Sequence, residues 1–225
     1  MLTLLLAAFP AFLAVPPASP LDTARDLQDR PALAKMADDY SAAGLKAPND
    51  AEAQYRAALA CSYQAEVAIE VRDKKAGQQA AERGIKFAEK SVALRPNSAE
   101  YYRLLGTLYG QAVIDLQSGL SYGAKAKEAI NKAVEKAPKS SMVYVARGVG
   151  NYYLPAMLGG GPKTAIEDFK KAISLDANNA EAYLWLGVSL HKDNQPGEAR
   201  KAFVKSLELN PRRLWAKQQL DKTPK

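Results

Sequence analysis

Residues 183–211 read YLWLGVSLHKDNQPGEARKAFVKSLELNP, and this stretch contains both halves of a pattern that recurs along the chain. The first half places an aromatic residue, a bulky residue and a glycine at Tyr183, Leu186 and Gly187. The second half is a series of a small, a bulky and a small residue followed by proline or alanine, here Ala199, Phe203, Ser206 and Pro211. The same series occurs at Gly84, Ala88, Ser91 and Pro96, at Ala126, Ile130, Ala133 and Pro138, and at Ala165, Phe169, Ala172 and Ala177. One internal spacing at separate places indicates a stacked structural repeat.

The first half of the pattern also recurs, most completely at Tyr102, Leu105, Gly106 and Tyr109. These residues match the W-x2-L-G-x2-Y opening of a 34-residue helical repeat, with tyrosine in the tryptophan position. Copies with fewer matches begin at Tyr144 and Tyr55. Over residues 50–212 the chain therefore resembles the tetratricopeptide repeat (TPR) family. The resemblance implies an all-α fold, a right-handed α-solenoid of antiparallel helix pairs with about four units.

The residue types of the pattern suit close helix pairing. Glycines 106, 148 and 187 on first helices are expected to face Ala126, Ala165 and Ala199 on second helices. Small residues on both sides let two helix backbones approach, while neighbouring aromatic side chains fill the space beside the crossing. A single pair cannot bury its apolar stripe, so neighbouring pairs must stack.

The spacing between equivalent tyrosines exceeds 34 residues in three units. It is 47 from Tyr55 to Tyr102, 42 from Tyr102 to Tyr144 and 39 from Tyr144 to Tyr183. We place the units at residues 49–96, 97–138, 139–178 and 179–212. The excess predicts long turns within the helix pairs, around residues 71–79, 116–125 and 154–163, or first helices longer by a turn or more. Such insertions often lie on a binding face.

The two ends of the chain differ from the repeats. Residues 1–18 begin with an almost wholly apolar run that ends near small residues, which predicts a signal peptide. We therefore expect an exported protein, periplasmic or secreted, with no transmembrane span in the mature chain; an uncleaved N-terminus would instead tether it to a membrane. Residues 19–48, interrupted near Pro31, are interpreted as an N-terminal capping half-unit, and residues 213–225 as a C-terminal capping helix and tail.

Composition argues against catalysis. The chain has one cysteine, Cys61, and one histidine, His191, which excludes a cysteine–histidine metal cluster or a histidine-based triad. The glycine-rich stretch at residues 158–164 lacks the glycine before the Lys-Thr pair that a phosphate-binding loop requires. We expect neither an enzyme nor a bound cofactor or metal. Although the net charge is +7, an exported chain without an RNA-binding motif is not expected to bind nucleic acid.

The TPR resemblance implies that first helices line a concave groove. The candidate binding residues in that groove are Arg56, Tyr63, Arg103, Gln111, Tyr152, Tyr153, His191 and Lys192. This mixture of aromatic and cationic residues suits an extended peptide with an apolar anchor and a carboxylate, or a small amphipathic ligand. The main hypothesis is an exported scaffold or adaptor for a protein or peptide. The alternative is a periplasmic small-ligand carrier or transport-system accessory subunit, since the layout also resembles the TPR component of TRAP transport systems and regulator of microtubule dynamics proteins.

Overall fold

The computed structural model describes residues 18–224, and the regular structure in this part of the chain is helical throughout. Helices α1 and α2 precede the repeats, α3 to α10 form four pairs, and α11 follows them. Their bounds are α1 Pro20–Asp26, α2 Arg30–Lys46, α3 Ala51–Glu70, α4 Lys74–Leu94, α5 Ala99–Gln111, α6 Leu116–Lys136, α7 Ser141–Tyr153, α8 Pro162–Leu175, α9 Ala180–Lys192, α10 Pro196–Leu209 and α11 Leu214–Lys222.

Each pair packs along its length and stacks on the next pair. Helix α3 packs on α4, α5 on α6, α7 on α8 and α9 on α10, while first helices also contact one another in the order α3, α5, α7, α9. This arrangement confirms the predicted all-α solenoid. The predicted signal peptide lies, except for its last residue, outside the described residues. Among the residues that the structure describes, no helix combines the length and apolar character needed to cross a membrane.

At two of the three places where long turns were expected, the added residues extend helices instead; in α3 this is the alternative of a longer first helix, whereas α4 and α6 are longer second helices. Helices α3, α4 and α6 have 20, 21 and 21 residues, against 13 in α5, α7 and α9. The turns are only residues 71–73 and 112–115. Aspartate caps start the second helices early: Asp73 accepts a hydrogen bond from the backbone N–H of Ala76, and Asp115 forms a capping box with Ser118.

The third expected turn is present at residues 154–161, between α7 and α8. It contains a short 3-10 helix, Ala156–Leu158, followed by Gly159 and Gly161 with φ of 84° and 99°. These two positions favour glycine because a Cβ is disfavoured at positive φ. Pro162 then starts α8, where the missing N–H of proline has no helical partner to lose.

The glycines of the first helices meet large side chains of the partner helix. A Cβ built on Gly148 would lie 2.6 Å from Cε1 of Phe169, and one built on Gly187 would lie 2.6 Å from Cε1 of Phe203. Gly106 faces Ala126 as expected, but Ile130 is nearer. Each of these glycines therefore leaves room for the bulky residue of the second helix, which is why the glycine and the bulky residue recur together.

Candidate functional site

The inner layer of the solenoid carries the predicted groove residues, but its N-terminal half is covered by α1. The hydroxyl of Tyr63 on α3 donates a hydrogen bond to Oδ1 of Asp22 at 2.9 Å. The guanidinium carbon of Arg25 lies 4.8 Å from the centroid of the Tyr63 ring. Burial, together with the charges of Asp22 and Glu66, raises the pKa of Tyr63 above its usual range. Tyr63 therefore holds α1 in place.

The other groove residues of α3 and α5 are also paired within the chain. Arg103 donates to Glu100 through Nε at 2.7 Å and Nη2 at 2.6 Å, and Glu100 accepts a further bond from the Tyr55 hydroxyl at 2.8 Å. Gln111 joins α5 to α3 by hydrogen bonds with the hydroxyl and carbonyl of Ser62. Arg56 takes no part in these contacts and pairs with Glu52, one turn earlier on α3.

An arginine that follows the last repeat is buried among carboxylates of α1, α3 and α9. Arg213 immediately precedes α11, and its side chain is 1% exposed. Its guanidinium donates to Glu66, Glu70 and Glu181 and lies 3.9 Å from Asp26. We call Arg213 with Asp26, Glu66, Glu70 and Glu181 the Arg213 clasp. It joins the residue before α11 to α1, α3 and α9, and its bonds with Glu70 and Glu66 span 143 and 147 positions of the sequence.

The clasp contains more carboxyl groups than guanidinium groups, even though the guanidinium of Arg25 also pairs with Asp26 and Glu181. Burial raises the pKa of Glu66 to about 7, and the charges of Glu70 and Glu181 add to the rise against the opposite effect of Arg213. Burial likewise raises the pKa of Glu70. The Glu181 carboxylate has a lowered pKa, because the attraction of Arg213 and Arg25 outweighs its burial. Burial and the neighbouring glutamates therefore favour the protonated form of Glu66.

The C-terminal half of the inner layer is aromatic and more open. Tyr152 and Tyr153 of α7 lie edge-on to Trp185 of α9, with ring centroids 5.7 and 6.1 Å away, and Trp185 also contacts Trp215 of α11. Tyr153 remains 60% exposed. Desolvation of its hydroxyl, with the nearby charges of Tyr152, Glu70 and Glu66, raises the pKa of Tyr153 to about 12. An exposed aromatic ring thus packs on Trp185, in the same layer of first helices as the glutamates of the clasp.

The two remaining predicted residues lie at the end of α9. The ammonium group of Lys192 is 4.2 Å from the centroid of the Tyr152 ring and donates to the Tyr152 carbonyl at 3.3 Å. Nδ1 of His191 lies 3.0 Å from the Thr223 hydroxyl oxygen. The structure thus brings Tyr152, Tyr153 and Lys192 together, whereas His191 contacts the C-terminal segment.

The charge of the concave face differs from the sequence-based expectation of cations at the groove margins. The inner carboxyl groups described above belong to Asp22, Asp26, Glu66, Glu70, Glu100 and Glu181, and the arginines among them are Arg25, Arg103 and Arg213. With the pair of Glu52 and Arg56 and with Lys192 included, seven carboxyl groups face five cationic groups. A cationic ligand group suits this face better than a carboxylate.

Sequence reasoning missed the Arg213 clasp because its parts belong to four helices. Glu66 and Glu70 lie in the extension of α3, and Asp26 lies in α1, which precedes the repeats. The available signal was a pair of glutamates, Glu66 and Glu70, one turn apart on a first helix. Within residues 18–224 no group of histidine, cysteine, aspartate and glutamate side chains could hold a metal ion.

Two depressions on the described surface lie away from Tyr152, Tyr153 and Trp185. One, of about 440 Å³, is lined mainly by α2 and α3, including Pro31, Leu33 and Ala68. The other, of about 350 Å³, lies beside Tyr40 and Arg56. Neither includes Tyr152, Tyr153 or the Gly159 turn, which the small-ligand alternative would require as a closed cavity.

The comparisons with known proteins agree with this architecture. The family model described as "Regulator of microtubule dynamics protein 1-3" matches residues 21–222. The crystal structure of TTC0263, a thermophilic TPR protein of Thermus thermophilus, is 19% identical, with a TM-score of 0.59 over 88% of this chain and 97% of that chain. MamA is 20% identical, with a TM-score of 0.43 over 86% and 93% of the two chains. No curated protein sequence matches this chain. The likeness to TTC0263 confirms the TPR fold.

Proposed function

The chain belongs to the regulator of microtubule dynamics protein 1-3 family, and from that premise we propose that it is an exported, non-enzymatic scaffold whose concave face holds a segment of a partner protein. The observation that carries the proposal is the exposed Tyr153 ring, which packs on Trp185 in the same layer of first helices as Glu66, Glu70 and Glu181 of the Arg213 clasp. Exposed aromatic side chains supply contact area at a low cost in conformational entropy. The carboxylates supply attraction for a cation.

The geometry favours one class of segment. Because carboxylates exceed arginines on this face, the segment carries lysine or arginine, and because Tyr153 presents an apolar ring, it also carries an apolar or aromatic residue. The covered half beside Tyr63 leaves the α7 and α9 half as the place of contact. The Tyr152 ring contacts both the Tyr153 ring and the Trp185 ring, and the ammonium group of Lys192 lies over the Tyr152 ring.

Replacement of Tyr153 by alanine tests the proposed contact. Two sets of peptides of equal length are titrated by fluorescence anisotropy, one containing arginine and leucine and the other glutamate and leucine. We expect the arginine set to bind, with affinity that falls as salt is added. Tyr153→Ala is expected to weaken that binding about five- to thirty-fold, the usual effect of truncating an aromatic contact residue.

The matched control is Val204→Ala, which shortens an exposed apolar residue on α10, outside the groove. It is expected to leave binding unchanged. If the glutamate peptides bind equally well, or if the Tyr153→Ala protein and the parent have equal affinity, the concave face is not the binding site for a cationic segment.

Export is supported by the apolar character of residues 1–15. Native mass spectrometry on protein purified gently from its host is expected to give a chain that starts after Ala14 or Ala18, together with the mass of a bound protein. A chain that retains Met1 contradicts cleavage and favours the membrane-tethered alternative. The mass of a bound small molecule would favour the carrier alternative.

A further inference from the structure

Helix α1 bridges α3 and α9, the first helices of the first and fourth pairs, although it belongs to neither pair. It has seven residues and packs on α2 and α3. The Tyr63 hydroxyl of α3 donates to Asp22 at 2.9 Å, and Nη2 of Arg25 lies 3.4 Å from Oε1 of Glu181 on α9. A segment outside the repeats therefore occupies the layer of first helices, where the partner segment is proposed to bind.

Helix α1 presents an apolar residue and an arginine on one face. Leu21 and Arg25 are four positions apart, which is about one helical turn. Leu21 is buried in a cluster with apolar residues of α2 and α3, and the guanidinium carbon of Arg25 lies 4.8 Å from the centroid of the Tyr63 ring. The concave face favours this combination of an apolar and a cationic residue in a partner. Helix α1 therefore has the chemistry of a ligand for its own inner face.

The contacts that hold α1 are mostly polar. Its buried apolar side chains are those of Leu21 and Ala24. Its charged side chains pair with other groups, and Asp26 also accepts a hydrogen bond from Nδ2 of Asn210 at 2.8 Å. Water replaces such bonds at a small net cost, and a helix of seven residues is not stable by itself. We therefore expect displacement of α1 to cost less than displacement of a repeat helix.

The site under α1 adjoins the aromatic residues of the open half. The ring centroid of Trp215 lies 5.1 Å from that of Trp185 and 5.7 Å from the guanidinium carbon of Arg213. Arg213 in turn shares Glu181 with Arg25. A segment that starts on the aromatic residues and continues along the inner face therefore meets α1.

Displacement of α1 leaves a site with net negative charge. Helix α1 takes one arginine and two aspartates with it. Glu66, Glu70 and Glu181 remain around Arg213, which is three carboxyl groups to one guanidinium. An arginine suits this site better than a lysine, because a planar guanidinium both stacks on the ring of Tyr63 and pairs with a carboxylate.

We infer that α1 is an internal ligand of the concave face, and that an arginine-bearing segment of the partner displaces it. The partner's arginine takes the place of Arg25 between the Tyr63 ring and Glu181, and an apolar residue one turn earlier takes the place of Leu21. The inference rests on the proposed function, because it describes how binding to that same face is regulated. The apparent affinity for the segment is multiplied by the fraction of molecules in which α1 is displaced.

Hydrogen exchange of the full chain, followed by mass spectrometry, reports whether α1 leaves. The backbone N–H groups of Thr23, Leu27, Gln28 and Asp29 are hydrogen-bonded within residues 19–29, so they exchange slowly while α1 is bound. The probe is a peptide with leucine four positions before arginine. It is expected to raise exchange in residues 23–29 about ten-fold, an ordinary coupling between two binding events. A peptide with glutamate in place of arginine should leave exchange unchanged, and the amides of α4 serve as the internal control.

Two variants of opposite charge separate displacement from simple attraction. Arg25→Ala removes a cation and Asp22→Ala removes an anion, yet both remove contacts of α1 with α3. Both are expected to tighten binding of the arginine peptide about five- to ten-fold, measured by fluorescence anisotropy. Attraction alone would strengthen binding in the first variant and weaken it in the second. Arg30→Ala removes an exposed cation of α2 that pairs with Asp73 and, as the matched control, should leave the affinity unchanged.

The outcomes separate this inference from the proposed function. If the peptide binds the parent without changing exchange in α1, or if the two variants change the affinity in opposite directions, the inference is wrong and the proposed function stands. If neither the parent nor the variants bind the peptide, both are wrong. Binding by the variants but not by the parent would support the inference, because α1 then blocks the face in the parent.

Discussion

Replacement of Arg213 by alanine is expected to lower the free energy of unfolding by about 3–5 kcal/mol, measured by urea denaturation followed by circular dichroism. The guanidinium is buried and is bonded to Glu66, Glu70 and Glu181, so its removal leaves these carboxylates with Arg25 as the nearby counter-charge. Removing one partner of a buried ionic cluster costs far more than breaking an exposed ion pair.

Arg212 provides the control for this prediction. It is adjacent in sequence but exposed, so Arg212→Ala is expected to change stability by less than about 0.5 kcal/mol. Arg213→Lys should lie between the two, because an ammonium group retains the charge but lacks the planar set of donors. If the Arg213 and Arg212 alanine variants unfold at the same urea concentration, the clasp does not stabilise the fold.

The same cluster makes stability depend on pH through Glu66. The folded-state pKa of about 7 lies above the ordinary value of 4.5, so the folded protein binds the extra proton between these values. The stabilisation from this proton is complete below pH 4.5 and is lost as the pH rises through about 7. The stability difference between the parent protein and Glu66→Gln should therefore fall from about pH 5 to about pH 8; parallel stability curves would contradict the raised pKa.

Two glycines of α7 are expected to respond in opposite directions to alanine. Gly148→Ala should lower the free energy of unfolding by about 1–3 kcal/mol, because its Cβ would lie 2.6 Å from the buried ring of Phe169, which has no space to shift. Gly150→Ala, two residues later, should raise it by up to about 1 kcal/mol, because nothing lies within 4 Å of its Cβ and alanine favours a helix.

Thermal and urea unfolding of the two glycine variants measure this difference directly. Both substitutions gain the same helix propensity, so the contrast between them isolates the close approach of α7 and α8. A Gly148→Ala protein as stable as the parent would show that Gly148 is not required for packing. A destabilised Gly150→Ala protein would contradict the expected gain in helix propensity.

The repeat pattern predicted the fold because each of its positions acts on a neighbour close in sequence. Gly187 meets Phe203 within one helix pair, and Pro162 and Pro196 begin second helices. The lengths of α3, α4 and α6 were less predictable, because a surplus of residues in the spacing fits either a turn or an extended helix. The caps at Asp73 and Asp115 decided in favour of helix.

The sequence by itself determined the class of fold and the order of the helix pairs. It did not determine what the concave face presents, since that depends on contacts between residues far apart in the chain. Arg213 meets Glu66 across 147 positions, and Tyr63 is covered by Asp22 and Arg25 of α1. Local periodicity specifies which face of a helix is buried, whereas the curvature of the stacked pairs decides which ends meet, and here it brings the first and last helices onto one cluster of charges.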